Sequence, residues 1–583
     1  MRKRRAVLGL RLGPGHDTGA ALVHETKGEL RCVAVAEERF SREKNSRAFP
    51  RLSIEACLGE IGIAPDKLDA VVFEKTNWQY GARWYEQIPG SGWAHLSDDD
   101  ERAFFASVGD TPCYFANHHL LHAATAWHTT PWPLDGQSGA LLVVDGRGST
   151  WPVGTHHESG SLFGLKRDHP DEPMRLYPRG FHAETQSLFI GRGRGIERVD
   201  VSLRSGIGVF YSWLTQCVLG FGPMHAGKSM GLAAYGNPAS ERFPTIPDSL
   251  FDGIHTDLAE YICTHFNEGL GFRRRSSEDP TDFYFADAAA WGQQQLVRAM
   301  THLARYSIER TGARRLGLSG GVALNVVANR AIRDELMGQG RIDEFFVQPA
   351  ASDAGLALGA ALLGYYNITD GKLPYQANQV YLGPTRSTDD ATQALLDAGG
   401  ELPDDLISRV ADLLLGGKIV AWFQGRSEHG PRALGARSIL CWPRPAWMKD
   451  HLNTEVKHRE AFRPFAPIVQ EQHAPEIFDA DFPVPYMLVN TMVRERYRSK
   501  LPAVTHADGS GRLQTVSGGD TPLLYELLGE IRRRDGVGVL LNTSFNDNGE
   551  PIVETPAHAI RCFQSTKIDA LVCGNALLVK PDA

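Results

Sequence analysis

Apolar and polar positions along the first part of the chain follow a pattern that occurs twice. Ala6 to Leu10 and Ala20 to Val23 are short apolar runs on either side of Gly13-Pro-Gly-His-Asp-Thr-Gly19, which predicts strand, tight polar turn, strand. Gly139-Ala-Leu-Leu-Val-Val144 then enters Asp145-Gly-Arg-Gly148, again an apolar strand that delivers an acidic residue into glycines. Each turn alone reads as a hairpin. Two in one module suggest a duplicated α/β unit whose turns can face each other across a nucleotide cleft, because glycine permits the close backbone approach that phosphates need.

The pattern continues with Arg315 to Leu318, which leads into Ser319-Gly-Gly-Val-Ala-Leu-Asn325 and a helical stretch, so that amides at a helix N-terminus can hold an anion or a ribose. Phe345 to Val347 leads through Gln348-Pro-Ala-Ala-Ser-Asp353-Ala-Gly355 to a Gly/Ala-heavy run ending at Tyr366, read as a packed helix. The polar passage Asn367 to Asn378 places a domain boundary near residue 370, giving domains 1–370 and 371–583. Beyond it, a helix is expected around Ala411 to Leu415 and a strand from Lys418 to Phe423.

Composition narrows the function classes. The 583 residues include 42% hydrophobic and 22% charged positions, enough for sizeable cores and unlike a disordered chain. With 61 Lys+Arg against 69 Asp+Glu, the net charge is −8 and no basic block marks a nucleic-acid partner. The apolar start is cut at Arg11, too short for secretion, and no run reaches the length of a membrane span, so a cytoplasmic protein without a membrane partner is expected. Eight scattered cysteines without a CxxC predict reduced core residues, with neither a disulfide framework nor a thiolate zinc site.

Two sets of residues carry candidate chemistry. His118 and His122 stand four apart, a spacing that puts two imidazoles on one face of a helix while His119 points elsewhere. Asp145 and Asp353 can complete a two-His, two-carboxylate site for iron, zinc or manganese; the spacing does not choose among them. In the C-terminal part, Gly430-Pro-Arg-Ala-Leu-Gly435, Lys457-His-Arg-Glu-Ala-Phe-Arg463, Arg512 and Asn542-Thr-Ser-Phe-Asn546 set cations and polar groups among apolar runs. They are read either as a converging phosphate clamp or as solvated surface charge. The aromatic stretch from Trp78 to Phe105 is read either as a wall of an acceptor pocket or as a small satellite core.

Taken together and in order, these motifs, with His16-Asp17, Gly227-Lys-Ser-Met-Gly-Leu-Ala-Ala234 and Arg463-Pro-Phe-Ala-Pro467, resemble the NodU/CmcH-type O-carbamoyltransferases from about residue 6 to 580. That family includes the nodulation-factor, tobramycin, cephamycin and ansamycin carbamoyltransferases. The resemblance implies an α/β N-terminal domain of the duplicated actin/Hsp70-like (ASKHA) type, similar to the metalloprotein of tRNA threonylcarbamoyladenosine synthesis, followed by a YrdC-like domain. It implies that carbamoyl phosphate and ATP, with magnesium as a possible companion ion, form carbamoyladenylate in the second domain. The carbamoyl group then passes in the first domain to a hydroxyl of a small-molecule acceptor, such as an antibiotic.

Carried over residue by residue, the metal ligands fall on His118, His122, Asp145 and Asp353, with iron(II) favoured. The proton acceptor falls on His16, and the carbamoyl phosphate and adenylate site on Arg432, Lys457, Arg463, Arg512, Asn542 and Ser544. The nucleotide site of the first domain falls on Gly227, Lys228, Gly320, Gly321 and Asn325. The first turn is closer to the cephem type than to the aminoglycoside type, so the acceptor stays open. Two other readings compete: an ASKHA-type small-molecule kinase that releases ADP, and a non-catalytic tRNA-modification scaffold. The separate cation cluster speaks against the first, and the acidic net charge against the second.

Overall fold

The fold is taken from a computed structural model that describes residues 5–12, 16–74, 98–151, 163–164, 182–222, 224–259, 261–262, 283–375 and 379–581. Its first sheet contains β1 (Ala6–Arg11), β2 (Gly19–Thr26), β3 (Glu29–Ala36), β4 (Ala70–Glu74) and β5 (Cys113–Ala116) in the order β3-β2-β1-β4-β5, with a two-residue strand beyond β5. β1 pairs antiparallel with β2, and β2 with β3; β1 pairs parallel with β4, and β4 with β5. Every residue of β1 is buried, as expected for a central strand covered on both faces.

The second sheet repeats this arrangement. β6 (Ser138–Val144), β7 (Gln186–Arg192), β8 (Gly195–Ser202), β9 (Arg315–Ser319) and β10 (Glu344–Val347) lie in the order β8-β7-β6-β9-β10. The antiparallel and parallel pairings are those of the first sheet, strand for strand. The duplication expected from two strand–Asp–Gly turns is therefore present as two sheets of one topology.

Helix α1 (His118–His128) and helix α5 (Leu356–Asn367) pack against each other beside β1, with α2 (Ala226–Ala233), α3 (Phe283–Thr311) and α4 (Val326–Gly338) around the second sheet. α5 is buried from Leu356 to Tyr366, which explains why its sequence is apolar all round instead of amphipathic. Its glycines are a packing requirement: a Cβ on Gly359 would lie 2.3 Å from the Leu121 carbonyl oxygen of α1. From β1, a Cβ on Gly9 would lie 2.0 Å from the Ala357 carbonyl oxygen.

The third sheet is C-terminal. It contains β11 (Val420–Phe423), β12 (Arg437–Cys441), β13 (Ala466–Gln470), β14 (Gln514–Val516), β15 (Val539–Ser544), β16 (Ala570–Cys573) and β17 (Ala576–Val579), ordered β14-β13-β15-β12-β11-β16-β17. Helices α6 (Leu406–Leu415) and α7 (Pro522–Asp535) pack together on one face, while α8 (Pro556–Ser565) contacts β11 and β16. The helix and strand expected near residues 411 and 418 are thus α6 and β11.

This sheet is joined to the other two by side chains that cross between them. Phe462 is buried in the core of the second sheet and its helices. Arg426 Nη2 donates to the Cys32 carbonyl at 2.7 Å, and Arg42 Nη1 to that of Ile552 at 2.8 Å.

Among the described residues no helix is long and apolar enough to cross a membrane. The seven described cysteines are free, five of them buried; Cys263 lies outside the described residues. Of the aromatic stretch, Trp78, Tyr80, Trp84, Tyr85 and Trp93 also lie outside them. Phe104 and Phe105 are core residues, with ring centroids 5.8 Å from Phe49 and 5.7 Å from Phe73. These two rings belong neither to a pocket wall nor to a satellite core: they are part of the core on one face of the first sheet, with Leu8, Leu10 and Leu22.

Candidate metal centre and adjoining cavity

Asn117 caps α1, its Oδ1 accepting the Leu120 N–H at 3.1 Å, so the helix begins at His118 and its first two turns carry both histidines inward. The ring centroids of His118 and His122 are 4.8 Å apart, and their Nε2 atoms stand 3.2 Å apart. Asp145 at the end of β6 places Oδ2 3.1 Å from His118 Nε2 and 3.5 Å from His122 Nε2. Asp353, in the turn between β10 and α5, places Oδ1 3.5 Å and 3.7 Å from the same two nitrogens. One donor atom from each of the four residues lies within 4.8 Å of the others. Two imidazole nitrogens and two carboxylate oxygens converging in a buried pocket fit a divalent cation such as iron, manganese or zinc.

The surroundings keep the two aspartates ionised. Burial opposes ionisation of Asp145, yet hydrogen bonds and charge from His118 and His122 hold its carboxyl well below the usual carboxylate range. Asp353 is likewise lowered: burial opposes the charge, and His118, Arg11 and His122 outweigh it. The Asp145 Oδ1 atom accepts the Gly146 N–H at 2.7 Å and the Gly321 N–H at 3.2 Å, which leaves Oδ2 for the histidines. His119 turns to the second sheet, its Nδ1 2.7 Å from Ser187 Oγ, and burial holds it neutral with a pKa of about 3.

His16 sits beside this centre, its Nδ1 3.2 Å from Asp17 Oδ2 and 4.0 Å from Asp353 Oδ2. Burial works against its protonated form, but Asp17 beside its Nδ1 and the charge of Asp353 raise its pKa above the ordinary histidine value. It lines a cavity of about 1190 Å³ that also reaches Asp145, Asp353, Gly227, Lys228, Gly321 and Asn325. Gly320 is buried behind that wall, with φ +91° and no room for a side chain against Val144. Asn325 has a structural task too: its side chain caps α4 through the Ala328 N–H and exchanges hydrogen bonds with Gln293.

The same cavity continues into the C-terminal part, where Arg432, Arg459, Arg463 and Ser544 line it. Arg432 lies on the turn between Gly430 and Gly435, both at positive φ; Glu428 Oε1 braces that turn by accepting the N–H groups of Leu434, Ala436 and Arg437. Arg512 stands behind it, its Nε buried without a hydrogen-bond partner among the described residues, as are Arg432 Nε and Arg459 Nη2. Burial and mutual repulsion push Arg432 to about 10 and Arg459 to about 9, and Arg512 well below the usual guanidinium range. Such a concentration of positive charge calls for an anion.

Lys457 and Asn542 do not line the cavity. The Lys457 Nζ is buried and donates at 2.8 Å to each of the Ser544 carbonyl, the Asn546 carbonyl and Asn546 Oδ1. Asn542 Nδ2 donates to Gln514 Oε1 at 2.7 Å, so both residues brace the cation-bearing loops from behind. Lys228 is engaged as well, its Nζ 2.6 Å from Glu460 Oε1.

Sequence reasoning missed Arg11 and Glu74, which contact Asp353 and His118, and it missed Arg459. The signal for the first two was a charged residue ending an apolar strand, Ala6 to Arg11 and Ala70 to Glu74. Arg459 lay within the quoted Lys457 to Arg463 segment, where sequence alone did not separate one cation from the next.

Comparison with known proteins identifies the family. The N-terminal carbamoyltransferase model matches residues 6–88 and 101–362, and the C-terminal carbamoyltransferase model residues 411–580. The chain belongs to the carbamoyltransferase family and is an enzyme that transfers carbamoyl groups. Within that family it is of the NodU type. It is 35% identical to nodulation protein NolNO of Sinorhizobium fredii over 97% of this chain and 79% of that protein. It is 39% identical to nodulation protein NolO of Bradyrhizobium diazoefficiens over 80% of this chain and 79% of that protein, and 31% identical to nodulation protein U of Sinorhizobium fredii over 80% and 78%.

Proposed function

We propose that the enzyme is an ATP-dependent O-carbamoyltransferase working in two stages within one cavity. In the first, water cleaves carbamoyl phosphate to carbamate and phosphate. A carbamate oxygen then attacks the α-phosphorus of ATP, expelling pyrophosphate and leaving carbamoyladenylate. Arg432 and Arg463, with Ser544 beside them on the cavity wall, hold the phosphate oxygens; Arg512 adds its charge from behind, and Lys457 and Asn542 fix the loops that carry them. In the second stage, a hydroxyl of a small-molecule acceptor attacks the carbamoyl carbon, His16 takes the hydroxyl proton, and AMP leaves.

His118, His122, Asp145 and Asp353 would hold a divalent metal, with iron(II) the favoured ion, which supplies positive charge beside the adenylate phosphate. On this reading residues 1–370 form the ASKHA-type transfer domain, with Gly227, Lys228 and the turn at Gly320, Gly321 and Asn325 near the nucleotide. Residues 371–583 form a YrdC-like adenylate-forming domain.

The observation that carries the proposal is the single cavity, lined at one end by Arg432, Arg459 and Arg463, with buried N–H groups of Arg432 and Arg459 that lack a hydrogen-bond partner among the described residues, and at the other by His16, Asp145 and Asp353. An unstable acyl adenylate formed at one end reaches the other without leaving this cavity. The test is incubation with carbamoyl phosphate and ATP without acceptor, followed by mass spectrometry. Carbamoyladenylate and pyrophosphate are expected; ADP as the sole nucleotide product would overturn the proposal in favour of a kinase.

A further inference from the structure

We propose that Glu74, with Arg11 as its counter-ion, is a positioning residue that fixes His118 and Asp353 in their ligand orientation. This rests on reading the four-residue centre as a metal site.

The argument begins with topology. β1 and β4 are parallel neighbours in which Leu10 pairs with Phe73, so the next residues, Arg11 and Glu74, emerge side by side at the C-terminal ends of these two interior strands. His118, the first residue of α1, meets Glu74 there. All three side chains are nearly inaccessible: Arg11 is 6% exposed, Glu74 5% and His118 4%. A buried carboxylate persists only when its charge and both oxygens are satisfied. Here Oε2 of Glu74 takes Arg11 Nη1, and Oε1 takes His118 Nδ1.

That contact decides which nitrogen of His118 carries the proton. An imidazole that ligates through Nε2 must carry its proton on Nδ1, and a buried N–H needs an acceptor. Glu74 is that acceptor. The Nε2 lone pair then points toward His122, Asp145 and Asp353. His122 has no carboxylate in the corresponding place; its Nδ1 faces Ser319 Oγ at 3.3 Å. The two histidines therefore differ, His118 being held by a charged partner and His122 by a neutral one.

Arg11 extends the same device to a second ligand. Its Nη2 donates to Asp353 Oδ2 at 2.9 Å, while Asp353 Oδ1 faces the histidine pair. One guanidinium thus fixes which oxygen Asp353 offers and neutralises the carboxylate that orients His118.

The test uses the full-length protein and Co(II) as the probe, titrated by its visible d–d absorption against a competing chelator. Glu74→Gln keeps the shape and removes the charge; Co(II) affinity is expected to fall roughly 10- to 100-fold, with a changed d–d spectrum. Glu74→Asp, which keeps the carboxylate, should recover part of the loss. Affinity and spectrum unchanged in folded Glu74→Gln would overturn the inference while leaving the metal reading intact. Wild-type protein that binds no Co(II) would overturn the metal reading and the inference with it. Should Glu74→Gln fail to fold, histidine nitrogen shifts in wild-type, metal-free protein still decide: a proton on His118 Nδ1, facing Glu74, is expected, and a neutral ring protonated on Nε2 would refute the assignment.

Discussion

Lys228 and Glu460 meet across the cavity, the Nζ of one 2.6 Å from the Oε1 of the other, and so tie α2 of the N-terminal part to the loop that carries Arg459 and Arg463. Phe462 on the same loop packs against Phe221, ring centroids 6.0 Å apart. The cation-bearing loop is thus anchored in the other half of the molecule. Glu460→Gln removes the ionic tie and leaves the Phe462 anchor. Adenylate formation should persist in this variant, while the ratio of pyrophosphate released to acceptor carbamoylated rises several-fold, because intermediate escapes from a less tightly closed cavity. An unchanged ratio would show that the pair does not help retain the intermediate.

The ligand set makes a separate prediction. His118→Ala and His122→Ala each remove one of four donors that lie within 4.8 Å of one another, so elemental analysis of the folded variants should show metal loss. Metal at wild-type stoichiometry in both would refute the site.

Arg463 and Lys457 should behave differently. Arg463 lines the cavity, so Arg463→Ala should fold normally and lose adenylate formation by about 10- to 100-fold, the equivalent of roughly 1.5–3 kcal/mol for a charge-assisted hydrogen bond. Lys457 Nζ satisfies three oxygen acceptors at 2.8 Å, so Lys457→Ala should lower the melting temperature as well as the activity. Equal melting temperatures for Lys457→Ala and wild type would place the lysine in the clamp alone.

His16 divides the two stages. His16→Asn should still make carbamoyladenylate from carbamoyl phosphate and ATP, yet fail to carbamoylate the acceptor, since only transfer requires loss of the hydroxyl proton. Wild-type transfer, or equal loss in both stages, would contradict this division.

Acid should destabilise the fold through its buried neutral histidines. His128 lies against Tyr366, both ring nitrogens without a partner among the described residues, and burial lowers its pKa from 6.5 to about 3. As pH falls below 6.5 the unfolded chain takes up this proton first, so its contribution to stability is lost progressively down to pH 3, by roughly 1.4 kcal/mol per pH unit. The drop in melting temperature between pH 7 and pH 5 should be smaller in His128→Phe than in wild type. An equal drop would assign the acid sensitivity to other groups, such as His119.

The local chemistry of this protein was legible along the chain. Apolar runs ending in Asp-Gly or Ser-Gly-Gly announced strands that deliver polar groups into turns. The His118 and His122 spacing announced one helix face, and the motif order announced the family. Each of these depends on neighbours within a few residues, where backbone geometry determines which side chains share a face. What tertiary structure alone decided was convergence and role. Asp145 and Asp353 are more than two hundred residues apart in number, and only the packing of β6 and α5 around α1 brings them to the same two nitrogens. Lys457 and Arg463 look alike in sequence, yet one is spent on backbone carbonyls and the other faces the cavity. Arg11 and Glu74 were unremarkable strand ends until the parallel register of β1 and β4 set them side by side beneath His118. A charge's function depends on what surrounds it after burial, and burial is a property of the whole fold.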